Sequence, residues 1–254
     1  MSSVIICVPL ILGAAAPARA AGRVSAGCKS SLGACPPIDR DEVLSNEQTF
    51  TTWAYADASS VVRAAPSSKA SPVGVLHAVT EDGLPEVYVV LCDEVLPPSR
   101  TGAPETWAEI RLPTRTPGQT GWVARSALSD YTRVNTELVV SRASHRLWLY
   151  RAGVPIFETS IGVGRRTAPT PAGHFWIREA FPVAQRAVGA YGPYAFGTSA
   201  YSVFPDWPGG GVVGIHGTST PHVGPSSAGC ITMPDVDIMR LATLVPLGTP
   251  LLIE

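Results

Sequence analysis

The chain has 254 residues, enough for one large domain or two modest ones with a real core. Its 19 basic residues nearly balance 20 acidic ones, which argues against bulk electrostatic binding to nucleic acid or an anionic membrane surface and leaves a small charged substrate open. Gly and Pro number 24 each, and that punctuation predicts many short strands joined by turns rather than long helices. In chain order, Val4 to Ala16 is an uncharged, mostly apolar run too short to span a bilayer, followed by the small-x-small triplet Ala18-Arg19-Ala20. Residues 1–20 are therefore expected to be a signal peptide, so that the mature protein is exported and has no membrane span. Residues 21–48 lack apolar periodicity, contain Ser30-Ser31 and Pro36-Pro37, and read as a linker.

Cleavage after Ala20 would remove Cys7 and leave Cys28, Cys35, Cys92 and Cys230. Cys28 and Cys35 flank a short Ser/Gly-containing stretch and are able to close a small disulfide loop. Cys92 ends the apolar run Val87-Tyr88-Val89-Val90-Leu91-Cys92 and reads as a buried, inert thiol. Cys230 is the cysteine that needs a chemical account.

Residues 49–131 read as short strands: Val61-Val62-Arg63, then Val73 to Val79, then Glu86 to Leu91 after a Glu81-Asp82-Gly83 turn. Trp107 to Leu112 alternates like a half-buried strand, and Gly121-Trp122-Val123 precedes a closing turn at Ser126-Ala127-Leu128. This order resembles a bacterial SH3-like barrel. The resemblance implies a small barrel that accompanies an enzyme of the bacterial wall and is able to bind a wall polymer.

From Val134 the texture changes. Leu138-Val139-Val140 and Arg146-Leu147-Trp148-Leu149-Tyr150 read as strands around a polar turn, followed by a strand from Val154 to Val163. His174 to Ile177, Tyr201 to Phe204, Val212 to Ile215 and Leu251 to Ile253 are further strand-like runs. One helix is expected. Ile238, Leu241, Ala242 and Val245 recur at helical spacing, with Asp235 and Asp237 in the first turn and Pro246 as the stop.

The chemistry concentrates in Gly214-Ile215-His216-Gly217-Thr218 and Ser226-Ser227-Ala228-Gly229-Cys230-Ile231. A thiol is a weak nucleophile at neutral pH until a base takes its proton or its pKa falls, and an imidazole can serve as ion-pair partner and proton shuttle. Gly229 lets the backbone approach a substrate, with amide N–H groups free to face a developing oxyanion. His216 precedes Cys230 by only fourteen positions (230 − 216), against the papain order, in which Cys comes first and His lies far downstream. His216, His222 and Cys230 supply only three metal donors with no Cys-x-x-Cys pair, so neither metal nor organic cofactor is expected.

These segments, with Leu147-Trp148-Leu149-Tyr150, Gly162-Val163-Gly164 and Thr170-Pro171-Ala172-Gly173-His174-Phe175, resemble the L,D-transpeptidase catalytic domain (YkuD-like). The chain departs from that pattern at Thr232, where the family usually has Arg, and its His-to-Cys loop is a residue or two shorter. The resemblance implies a mainly β protein: an SH3-like domain at 49–131, then a β-sandwich-like catalytic domain at 132–254 with one late helix. It further implies an exported enzyme of peptidoglycan cross-linking. Cys230 would be acylated by a stem tetrapeptide with loss of its terminal D-amino acid, and His216 would act as base. Gly229, Gly217, Ser227 and Thr218 would stabilise the oxyanion or orient the imidazole, and Arg165, His222 and Tyr194 are candidate substrate contacts. Two rival readings use the same chain: an L,D-carboxypeptidase, with water replacing the amine, and a wall-binding protein without catalysis.

Overall fold

The computed structural model of the protein describes residues 29–30, 33–34, 43–97, 104–184, 188–205 and 208–254. The expected signal peptide, Cys28 and Cys35 lie outside the described residues. Two short strands, β1 (Lys29–Ser30) and β2 (Gly33–Ala34), pair antiparallel. Residues 43–48 are packed against the first sheet, although the expected linker runs to 48. Val43 bridges to Cys92, and Ser45 Oγ accepts the Thr52 N–H at 2.8 Å. Asn46 Oδ1 accepts the N–H groups of Gln48, Thr49 and Phe50, and Arg111 Nε donates to Glu47 Oε1 at 2.6 Å. The polar composition that suggests a tether instead builds an Asx-type turn leading into the first sheet.

That sheet contains β3 (Thr51–Tyr55), β4 (Ser60–Arg63), β5 (Pro72–Leu76), β6 (Val87–Leu96), β7 (Glu105–Arg111), β8 (Thr120–Ala124) and β9 (Thr132–Val134). Their order is β5-β4-β8-β7-β6-β3-β9. β6 is buried on both faces. Tyr88 and Val90 pack with Val62, Leu76 and Ile110, whereas Val87 and Val89 pack with Trp53, Trp107 and Trp122. Two-sided burial explains why this strand reads as a continuous apolar run without alternation. Cys92, at the end of that run and fully buried, is disulfide-bonded and so is not the inert free thiol expected from its surroundings.

The second sheet is built from β10 (Thr136–Ser141), β11 (Arg146–Arg151), β12 (Val154–Ser160), β13 (Gly162–Gly164) and β14 (Gly173–Pro182). After a single turn of helix, α1 (Val188–Tyr191), come β15 (Tyr194–Tyr201), β16 (Val212–Thr218), β17 (Gly224–Ser227) and β18 (Ile231–Pro234). The helix α2 (Asp235–Ala242) and the strand β19 (Pro250–Ile253) complete the chain. The strand order is β12-β11-β10-β19-β14-β15-β16-β18-β13-β17. Among the described residues the protein is thus mainly β, with one α-helix longer than a turn.

α2 places Ile238 and Leu241 in the core, as their spacing requires, and Val245 follows them from the turn beyond the helix end. Two strand expectations are corrected. The single strand Val154–Val163 breaks at Ile161, whose N–H donates to the His145 carbonyl and whose carbonyl accepts from Gly224. β12 and β13 therefore lie in different parts of the sheet. The strand expected at Tyr201–Phe204 instead ends at Tyr201 and begins at Tyr194. Its interior, Ala195-Phe196-Gly197-Thr198-Ser199-Ala200, is buried throughout, so small residues replace the alternation that reveals a half-exposed strand.

The two sheets share contacts. Trp176 of β14 is 2 % exposed and packs with Trp53 and Val87 of the first sheet, and its Nε1–H donates to the Val87 carbonyl at 2.8 Å. The buried Arg178 forms ion pairs with buried Glu86 and with Glu81 at the surface, which raise its pKa despite the cost of burial. Gly248 has φ +75°, and a Cβ there would fall 2.1 Å from Trp53 Cδ1, so glycine is required by both backbone and space.

Candidate active site

β16 and β18 run side by side and parallel, with Ile215 opposite Ile231 and His216 opposite Thr232. Parallel neighbours need a crossover, and the stretch between them supplies one, laying β17 against β13 on the way. Ile215, Ile231 and Met233 point into the core. The two-residue period then turns His216, Cys230 and Thr232 to the other face. A separation of fourteen positions in sequence becomes adjacency in space.

There the three residues line a pocket of about 150 Å³ with Tyr191, Ser202, Val212, Ser227 and Ala228. Cys230 is a free, half-buried thiol. A Cβ built on Gly214 would lie 3.8 Å from Cys230 Sγ and 4.0 Å from His216 Cδ2, so the sulfur and the imidazole share the space over that glycine. His216 is 7 % exposed and its Nδ1 lies 2.9 Å from the Gly217 carbonyl. A carbonyl only accepts, so Nδ1 carries the hydrogen and Nε2 keeps its lone pair as a base. The Tyr191 ring meets the imidazole edge-on at 5.1 Å between centroids.

Burial pushes the Cys230 thiol up, partly offset by a backbone hydrogen bond at Gly214. Burial also holds His216 below the usual histidine range, against smaller opposing effects of the Gly217 carbonyl and the Asp235 charge. Both shifts favour a neutral thiol beside a neutral imidazole. Of the two roles open to the imidazole, ion-pair partner and proton shuttle, the arrangement suits proton transfer during attack rather than a standing thiolate.

The backbone beside the sulfur is braced. Gly229 has φ +124°, in the region that favours glycine. Its N–H donates to Ser227 Oγ at 3.1 Å, and Ser227 Oγ donates to the Cys230 carbonyl at 2.6 Å. Thr170 Oγ1, fully buried, donates to the Gly229 carbonyl at 2.8 Å and accepts the Gly164 N–H at 2.8 Å. In a trans peptide the C=O and N–H point opposite ways, so fixing the Gly229 carbonyl fixes the direction of the Cys230 N–H. Thr170→Val keeps the shape and removes both bonds. It is expected to lower kcat of any acylation at Cys230 about 10- to 100-fold, the scale of a misdirected oxyanion donor, with little change in KM; steady-state kinetics checks it.

The other expected site residues divide. Thr218 Oγ1 accepts the Thr220 N–H at 3.2 Å and shapes the turn after β16 instead of touching the imidazole. Ser227 braces the cysteine turn, and the imidazole is oriented by the Gly217 carbonyl. Arg165 is exposed with its Nε donating to Thr167, though its backbone N–H donates to the Ser227 carbonyl at 3.0 Å. His222 is exposed and lines a neighbouring cavity. Tyr194 packs edge-on against Phe196 beside the core, and Tyr191 is the tyrosine in the pocket. Thr170 and Asp235 escape a role in the sequence reading, because Thr170 reaches Gly229 across 59 positions and Asp235 reads as an ordinary helix-start acid.

Residues 135–253 match the family model described as YkuD, the L,D-transpeptidase catalytic domain. That segment is an L,D-transpeptidase catalytic domain. Both Cys230 and His216 fall inside it. No curated protein matches the chain. Among solved structures, a Cys-to-Ser mutant of the Enterococcus faecium L,D-transpeptidase is 21% identical, covering 64% of this chain and 74% of its own, with TM-score 0.40. The NMR structure of the catalytic domain from E. faecium L,D-transpeptidase is 28% identical over 47% of this chain and 97% of its own, with TM-score 0.34. L,D-transpeptidase 3 from Mycobacterium tuberculosis, in complex with a faropenem-derived adduct, is 15% identical over 53% of this chain and 73% of its own, with TM-score 0.38.

Proposed function

We propose that the protein is an exported peptidoglycan L,D-transpeptidase working through a cysteinyl acyl-enzyme on Cys230. The observation that carries this reading is one pocket holding a free thiol and an imidazole whose Nδ1 is tied to a carbonyl, inside the transpeptidase domain. His216 Nε2 takes the thiol proton as sulfur attacks the carbonyl after the third residue of a stem tetrapeptide. The Cys230 N–H, aimed by the Gly229 peptide, faces the developing oxyanion, and the imidazolium returns its proton to the departing D-amino acid. An amine from a second stem then attacks the thioester and releases the cross-linked peptide.

Arg165, at the rim beside Ser227, is a candidate for a substrate carboxylate, and His222 serves the approach from the adjoining cavity. The seven-stranded unit before the catalytic domain is read as an SH3-like module able to hold wall polymer near the site. Intact-protein mass spectrometry with a disaccharide tetrapeptide is the test, with and without an acceptor stem. A covalent adduct, plus a dimeric product when the acceptor is present, is expected. Release of the D-amino acid without any dimer would instead make the protein an L,D-carboxypeptidase, and no adduct under any condition would leave only wall binding.

A further inference from the structure

Ser202 and Val212, two walls of the thiol pocket, stand at the two ends of the connection between β15 and β16. The ends meet where the Ser202 N–H donates to the Gly211 carbonyl at 2.8 Å. A residue of the first sheet grips both. Arg115, in the turn between β7 and β8, donates from Nη1 to the Ser202 carbonyl and from Nη2 to the Gly210 carbonyl, each at 2.7 Å. Its guanidinium also lies over the Tyr201 ring, 5.2 Å from the centroid. Glycine makes the approach possible. Gly211 has φ +82°, and a Cβ there would fall 2.4 Å from the Phe204 carbonyl oxygen and 3.2 Å from Arg115 Nη2. Glu81, in the first-sheet turn after β5, adds a second hold: it accepts from the Tyr201 hydroxyl, and a Cβ on Gly210 would lie 3.1 Å from its Cγ. On the pocket side Ser202 reaches the cysteine turn, its Cβ 3.3 Å from where a Cβ on Gly229 would stand.

We infer that Arg115 is a positioning residue of the active site, acting from the first sheet through the Ser202 and Gly210 carbonyls to set the Ser202 and Val212 wall beside Cys230. The seven-stranded unit is then part of the pocket's construction and not only a neighbour of it. A guanidinium carries its donors in a rigid planar fork, so one side chain fixes the separation of two carbonyls. Arg115 itself is exposed, so the fold does not depend on burying it. His216 and the Gly229 peptide are held by other bonds, to the Gly217 carbonyl and to Thr170. Loss of the clamp therefore loosens one wall and leaves the reacting groups in place. This role needs Cys230 in its pocket but no particular acyl donor.

Alkylation by iodoacetamide on the full-length protein, read at Cys230 by peptide mass spectrometry, probes the wall without any substrate. In Arg115→Ala the rate is expected to rise at least about threefold and its pH midpoint to fall, because a looser wall admits water to a thiol that burial pushes up. Arg115→Lys, which keeps a donor but not the fork, should fall between. Arg133→Ala removes the same charge from the same sheet, where its guanidinium lies over Phe50, and should match wild type. Melting temperatures of all three should stay within about 3 °C of wild type. Where a stem tetrapeptide is turned over, as the transpeptidase reading requires, Arg115→Ala should raise KM about tenfold with kcat within about threefold. Unchanged alkylation in Arg115→Ala would mean that the wall stands without the arginine. An equal rise in Arg133→Ala, or a rise in Arg115→Ala that comes with a large drop in melting temperature, would mean a general loosening of the fold. Each of these overturns the inference. Faster alkylation of Arg115→Ala, in a protein whose wild type turns over no tetrapeptide, would leave the clamp standing and overturn only the transpeptidase reading.

Discussion

Cys230→Ala is expected to abolish the acyl-enzyme and lower turnover of a stem tetrapeptide by at least about 10³-fold, or roughly 4 kcal/mol of transition-state stabilisation. No other described free cysteine is present to take over, since Cys92 is disulfide-bonded. Fold stability should change little, because the half-buried sulfur sits at a pocket wall rather than in the core. Mass spectrometry checks the adduct, and thermal unfolding checks the fold. An adduct of unchanged yield on the alanine variant would place the nucleophile elsewhere.

The second large effect is expected at His216. His216→Asn removes the base and should lower kcat/KM about 10²- to 10⁴-fold. The pH profile distinguishes loss of a base from loss of shape. Burial holds the imidazole below the usual histidine range, so it stays neutral and able to accept a proton through neutral pH and well into mild acid. Wild-type kcat/KM is then flat near neutrality and falls on the acid side only as pH drops through that lowered value, where the imidazole becomes protonated. The thiol is pushed up by burial, so no thiolate limb should appear in the neutral range. His216→Asn should lose the acid limb and gain rate only as alkali ionises the thiol. An acid limb that survives in the variant, or a wild-type limb above the usual histidine value, would contradict the neutral-pair arrangement.

The helix spaced by Ile238, Leu241 and Val245 is legible because one-sided burial imprints its period on the sequence. β7, expected to be half-buried from Trp107 to Leu112, is instead buried on both faces from Trp107 to Ile110, with the charged Glu109 supplying the alternation. β15 is not legible, because burial on both faces erases the period and its close-packed interior takes Gly, Thr, Ser and Ala. The packing of residues 43–48 is hidden for another reason: Ser45 and Glu47 are polar, and only their distant partners in β3, β6 and β7 show that they are structural.

The candidate site divides the same way. The sequence by itself singled out the candidate pair, since His216-Gly217 and Gly229-Cys230 are local signals whose chemistry follows from residue type and neighbours. Tertiary structure alone decided which nitrogen of His216 is free, through the Gly217 carbonyl, and which hydroxyl steadies the cysteine turn, through Thr170. It also decided that Tyr191 rather than Tyr194 meets the imidazole, and that Asp237 faces a cavity beside Thr232. Hydrogen-bond partners and cavity walls arise from segments brought together by strand order, and strand order depends on long-range pairing that no local period records.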